Sequence, residues 1–77
     1  MVEIYSTPNC KYCVKAKDLF KELGVEYMEY NVAGDEAKKN EMIEMTGQRR
    51  VPVMVVEGEV LVGFTENEAR LRELLGN

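Results

Sequence analysis

The sequence predicts an α/β fold: a four-stranded mixed sheet with helices on both faces, its elements in the order β-α-β-α-β-β-α. Three observations predict it. Short β-prone runs at 2–6, 25–32, 51–57 and 59–63 are interleaved with helical patterns. The first two runs flank a helix, the arrangement of a βαβ unit, whose strands run parallel with a right-handed crossover. The last two are separated by Gly58, which marks a tight hairpin, and a closing helix follows them. At 77 residues the whole chain, 1–77, is expected to form one domain around a modest core.

Each element has its own signal. "VEIYS" (2–6) alternates and is rich in β-formers, and "TPN" then turns the chain. Ala16, Leu19, Phe20 and Leu23 recur at i, i+3, i+4 and i+7, one face of a helix that Gly24 can end. In "VEYMEYNV" (25–32) Val25, Tyr27 and Glu29 alternate with Glu26, Met28 and Tyr30, without showing which side is buried. Residues 34–47 are helical by propensity, with Asp35 and Glu36 at the start and Gly47 at the end. Their apolar stripe of Ala37, Met42, Ile43 and Met45 is poor. "VPVMVVE" (51–57) is a buried-strand run that Pro52 must begin, because proline cannot donate to a sheet ladder. Thr65 and Glu68 form a capping-box pattern ahead of Ala69, Leu71, Leu74 and Leu75, with Gly76 beyond the end.

Composition excludes several functions. No run of about 18 apolar residues is present, so no membrane span is expected. The start lacks the basic and apolar regions of a signal peptide, which favours the cytoplasm. A net charge of −4 argues against a nucleic-acid partner, since phosphate binding needs a basic face. With no histidine the chain lacks the usual general base and the commonest zinc ligand. Two cysteines are too few for the disulfide framework of a small secreted domain.

Those two cysteines, Cys10 and Cys13, carry the chemistry. Three residues apart on a helix they share a face, at a Cα separation of about 5–6 Å that a disulfide accepts. Cys10 falls at or beside the N-cap, where unpaired N–H groups and the helix dipole favour a thiolate over a thiol. Lys11 and Lys15 add positive charge nearby. Cys13, one turn further in, lacks those donors and stays protonated longer. The asymmetry suits a dithiol–disulfide exchange in which Cys10 attacks and Cys13 resolves. Two other readings stay open here: half of a zinc site, completed by carboxylates or a second chain, and two small core hydrophobes.

Taken together, "VEIYS", Cys10-Lys11-Tyr12-Cys13, "MTGQRRVPV" and "LVGFTENE" resemble a glutaredoxin, within the thioredoxin-like fold, almost end to end. The resemblance implies a thiol–disulfide oxidoreductase with Cys10 as nucleophile and Cys13 as resolving thiol. It implies a cis Val51–Pro52 bond facing the cysteines, with the Val51 backbone pairing with substrate. It also implies substrate contacts from Lys11, Tyr12, Gln48, Arg50, Val51, Pro52, Gly63, Phe64, Thr65 and Asn67. Protein disulfides are the implied clients and glutathione a co-substrate, with no tightly bound cofactor or metal and a monomeric chain.

Several positions depart from the family pattern. Lys11 replaces the usual proline after the first cysteine, Thr7 replaces a lysine, and Arg50 stands for the threonine before Val-Pro. Phe64 follows Gly63 where a second glycine is common, and Asn67 replaces the aspartate that grips the γ-glutamyl end of glutathione. Gln48 keeps a position that contacts the glycine carboxylate. The "GF" after the fourth strand is similar to the NrdH-redoxins, which take electrons from thioredoxin reductase and pass them to ribonucleotide reductase. The electron donor is therefore open between glutathione and a flavoprotein reductase. A different function, known in some glutaredoxins, is to hold an iron–sulfur cluster between two subunits through the first cysteine and glutathione. Finally, Lys11, Lys15, Arg49 and Arg50 are expected to gather near the cysteines and make the local field positive.

Overall fold

The computed structural model describes residues 1–76. The elements are β1 (Val2–Ser6), α1 (Lys11–Glu22), β2 (Met28–Asn31), α2 (Glu36–Thr46), β3 (Val53–Val56), β4 (Glu59–Val62), a 3₁₀ turn (Thr65–Asn67) and α3 (Glu68–Leu75). The sheet order is β2-β1-β3-β4. Strand β1 runs parallel to β2 and antiparallel to β3, and β3 is antiparallel to β4. The mixed sheet and its helices are those the sequence predicts.

Strand periodicity divides the core in two. Val2 and Ile4 of β1 and Met54 and Val56 of β3 face one way, where they meet Ala16, Leu19 and Phe20 of α1 and Leu71 of α3. Tyr5 and Val53 face the other way and meet Val32 and Met42. The register makes this possible: Ile4 lies opposite Met54 and Tyr5 opposite Val53, so each pair sends its side chains to one face. Helices α1 and α3 thus cover one side and α2 the other. Among the described residues, no helix is long and apolar enough to cross a membrane.

Several details differ from the sequence expectation, β3 beginning at Val53 just after Pro52 among them. Strand β2 begins at Met28 because residues 23–25 are still closing α1. The Gly24 amide donates to Lys21 O at 3.1 Å and the Val25 amide to Phe20 O at 2.9 Å, the paired bonds of a Schellman motif. Val25 and Tyr27 then pack on the α1 face and Tyr30 on the α2 face. In α2 only Met42 is buried, while Ala37 and Met45 are exposed. Its ends are nonetheless well capped: Asp35 accepts from the Lys38 amide at 3.1 Å, and Gly47 closes the last turn. A further difference corrects the capping box. Thr65 lies inside the 3₁₀ turn and makes no cap bond to α3, and Ala69 is exposed. The Asn67 amide instead donates to Val62 O at 2.8 Å and Gly63 O at 2.9 Å, folding this segment against the end of β4. The β3–β4 hairpin closes as expected, with Glu57 and Gly58 both at positive φ, the backbone of a type I′ turn.

Polar bonds fasten the sheet to its helices. Glu29 of β2 accepts from Lys17 of α1 and from the buried Ser6 hydroxyl, each at 2.8 Å. The Lys17 ammonium, and then the Ser6 hydroxyl, hold the Glu29 carboxyl below the usual carboxylate range. On the other face the Tyr5 hydroxyl donates to Glu41 at 2.5 Å. Burial, with that bond, pushes the Tyr5 phenol above its ordinary value. Because folding depresses the Glu29 pKa, its contribution is present above the unfolded carboxylate pKa and is lost as pH falls through the lower, folded value. Urea unfolding between neutral pH and about pH 3 should therefore show a flatter acid limb for Glu29→Gln than for the parent chain. Parallel limbs would show that this bond contributes nothing in water.

Candidate active site

The site grows from the turn between β1 and α1. Residues 7–9 turn the chain at the end of β1, and Cys10 then adopts extended backbone as the N-cap of α1. Its Sγ accepts from the Cys13 amide at 3.1 Å, one of the first-turn donors that a helix leaves unpaired. The two sulfurs are bonded to each other across a Cα separation of 5.2 Å, so helical spacing alone brings them within reach. They differ in access: Cys13 is fully buried, whereas Cys10 is partly exposed. An incoming sulfur can reach Cys10 only. When the disulfide is reduced, the Cys13 amide and the positive end of α1 remain to stabilise an anion on Cys10.

Val51 and Pro52 are joined by a cis peptide bond, and Pro52 is buried. Two clefts flank Val51. The first, of about 480 Å³, is lined by Tyr12, Arg50, Val51, Pro52, Gly63, Phe64, Thr65 and Glu66. Tyr12 belongs to the Cys10–Cys13 turn, so this cleft joins the motif to the cis bond and to the end of β4. The Gly63 amide donates to Pro52 O at 2.8 Å, which extends the β3–β4 pairing by one step and fixes the cleft floor. Gly63 sits at φ 88°, a conformation that suits glycine. The second cleft, of about 350 Å³, is bordered by Thr7, Val51, Met42, Lys39 and Arg49, together with residues 32–34 and Glu36.

The structure sorts the sequence-predicted residues. Tyr12, Arg50, Val51, Pro52, Gly63, Phe64 and Thr65 share the first cleft. Phe64 does so with little exposed surface, because its ring belongs to the core between α1 and α3. Asn67 lies just behind, its amide committed to backbone carbonyls. Lys11 is exposed at the start of α1, Gln48 is exposed in the turn after α2, and neither lines the two clefts. The four cations do not converge on one cleft. Arg50 is ion-paired with Glu66, Lys15 stands 5.3 Å from the Tyr12 ring centre, and Arg49 faces the second cleft with Lys39. Glu66 is the residue that sequence reasoning missed. Its carboxyl is held below the usual range by its own backbone amide and by the Arg50 guanidinium, so it is ionised near neutral pH. Among the described residues no three His, Cys, Asp or Glu side chains converge, so a metal at the cysteines would need ligands from outside this chain.

Comparison with known proteins supplies the context. The family model described as Glutaredoxin matches residues 2–61. A glutaredoxin-like 8.6 kDa protein from the rubredoxin operon of Clostridium pasteurianum, described as uncharacterized, is 37% identical over 75 residues, 97% of each chain. Glutaredoxin 3 of Escherichia coli is 37% identical over 62 residues, covering 80% of this chain and 75% of its own. Among solved structures, the thioredoxin-like protein BC3987 superposes with a TM-score of 0.88 at 33% identity, over 97% of this chain and 100% of that one.

Proposed function

The chain belongs to the glutaredoxin family and is a thiol–disulfide oxidoreductase, and from that premise we propose that it reduces the disulfides of client proteins with Cys10 as nucleophile and Cys13 as resolving thiol. The observation that carries this reading is the difference in access between the two sulfurs on one helical turn. The Cys10 thiolate attacks one client sulfur, a mixed disulfide forms, and the departing client sulfur takes up a proton. Cys13 then loses its proton and attacks Cys10 Sγ, releasing the second client sulfur as a thiol. Two electrons pass to the client, and the chain is left with the Cys10–Cys13 disulfide. The client backbone lies along Val51 and Pro52, with Tyr12, Thr65 and Gly63 bordering it and the Phe64 ring supporting the floor from the core.

What the first cleft offers bears on the electron donor. A γ-glutamyl end would need a free carboxylate near Asn67, but that amide is spent on Val62 and Gly63, and Glu66 is already paired. This supports a flavoprotein reductase of the thioredoxin reductase kind as donor, with ribonucleotide reductase among the clients. Glutathione is the second reading. It is favoured by the second cleft, where Arg49 and Lys39 beside Thr7 offer cations to a carboxylate. The test supplies the oxidised chain with NADPH and either thioredoxin reductase, or glutathione with glutathione reductase. Rapid NADPH consumption is expected with the former. Turnover confined to the glutathione system overturns the donor assignment, and no turnover of any protein disulfide in either system overturns the function.

A further inference from the structure

Arg50 and Glu66 come from separate parts of the chain and meet in the lining of the first cleft. Arg50 lies just ahead of the cis bond, and Glu66 lies in the 3₁₀ turn after β4. Their guanidinium–carboxylate pair rests directly on Gly63. A Cβ added to Gly63 would come within 2.6 Å of Glu66 Oε1 and 2.8 Å of Arg50 Nη2. Glycine therefore serves twice there: it adopts φ 88°, and it leaves room for the pair to settle on the backbone. Both side chains are about half exposed, at 52% and 45%, so the pair is hydrated and its strength is modest. A substrate segment in the cleft bordered by Val51 and Gly63 would lie beside these two charges.

We propose that Arg50 and Glu66 are specificity-determining residues for disulfide exchange, their ion pair lining the cleft beside Gly63 so that it accepts a neutral extended segment beside the substrate disulfide. Paired, the two charges cancel, and a charged residue flanking the substrate cysteine gains no partner without breaking the pair. Unpaired, either residue becomes an attractive site for the opposite sign. This inference rests on the reading that substrate occupies the cleft bordered by Val51.

The experiment uses three disulfide-bonded model peptides, identical except for Ser, Lys or Glu beside the substrate cysteine. The parent chain is expected to give its lowest KM with the Ser peptide. Arg50→Gln leaves Glu66 unpaired, so the KM ratio of the Lys to the Glu peptide should fall about two- to fivefold, the range of an exposed ion pair. Glu66→Gln should move the same ratio by a similar factor in the opposite direction. Both shifts should fade as salt rises, because the charges are exposed. The double variant Arg50→Glu with Glu66→Arg remakes the pair in reverse and should restore the parent order. Single variants that keep the parent ratio, or a double variant that keeps the bias of one single variant, would overturn the proposal. Turnover of the Ser peptide by the parent chain reports the thiol chemistry separately, and its absence would overturn the function itself and the clasp with it.

Discussion

Cys13→Ser is expected to stop protein-disulfide reduction with the client bonded covalently to Cys10, whereas Cys10→Ser is expected to lose both turnover and adduct. The difference follows from burial and position. Cys10 is the sulfur that an outside disulfide can touch, and its serine hydroxyl analogue is not ionised at neutral pH and cannot take its place. Cys13 is fully buried, three residues on, at a Cα distance of 5.2 Å, and in the proposed path it attacks the neighbouring sulfur after the client has docked. Without it the first exchange proceeds and the second does not. Mass spectrometry of the reaction with a disulfide client should find one client per Cys13→Ser chain and none on Cys10→Ser. Iodoacetamide should label Cys10 readily at neutral pH in Cys13→Ser, since the helix N-terminus stabilises the thiolate. Sustained turnover of a protein disulfide by Cys13→Ser would rule out the two-cysteine path. Turnover confined to small glutathione mixed disulfides would not, because free glutathione can resolve the second step itself.

The largest effect on stability is expected at Phe20. Its ring is fully buried, lies 5.3 Å from the Tyr27 ring, and sits two turns along α1 from Cys13, on the side that packs against β1 and β3. Phe20→Ala removes most of a large apolar side chain and leaves a cavity between helix and sheet, at a cost of about 3–5 kcal/mol. A domain of this length has roughly 4–12 kcal/mol of stability in total. The loss therefore takes a large share of it, and the urea midpoint should fall steeply with little change in slope. Val14→Ala, on the exposed side of the same helix, should shift stability by less than about 0.5 kcal/mol. Equal effects of the two substitutions would show that the α1 face does not form the core as described.

Local pattern was enough for most of the fold. The stripe Ala16, Leu19, Phe20 and Leu23 read as a helix face because a period near 3.6 has one geometric meaning, and that face is the buried one. Gly58 between two β-rich runs read as a hairpin because the turn chemistry is confined to a few residues. The helix of residues 34–47 carries a weaker pattern. Its signals are caps rather than a stripe, and the structure buries only Met42 from it. Thr65 and Glu68 mislead for a similar reason: the pattern is local, but residues 65–67 form a 3₁₀ turn that is tied to the end of β4 by Asn67, so α3 begins at Glu68 and Thr65 is not its cap.

By itself the sequence determined the ingredients of this protein's chemistry: two thiols three residues apart at a helix start, no histidine, and strands and helices in a single consistent order. Those are properties of spacing and composition, which a linear chain carries in full. Only the tertiary structure decided which sulfur is open, that the cations part to either side of Val51, and that Glu66 covers Gly63 with Arg50. Accessibility and ion pairing are relations between distant segments. They come into being when the sheet brings the end of β4 beside the start of β3, and no local pattern in the chain encodes them.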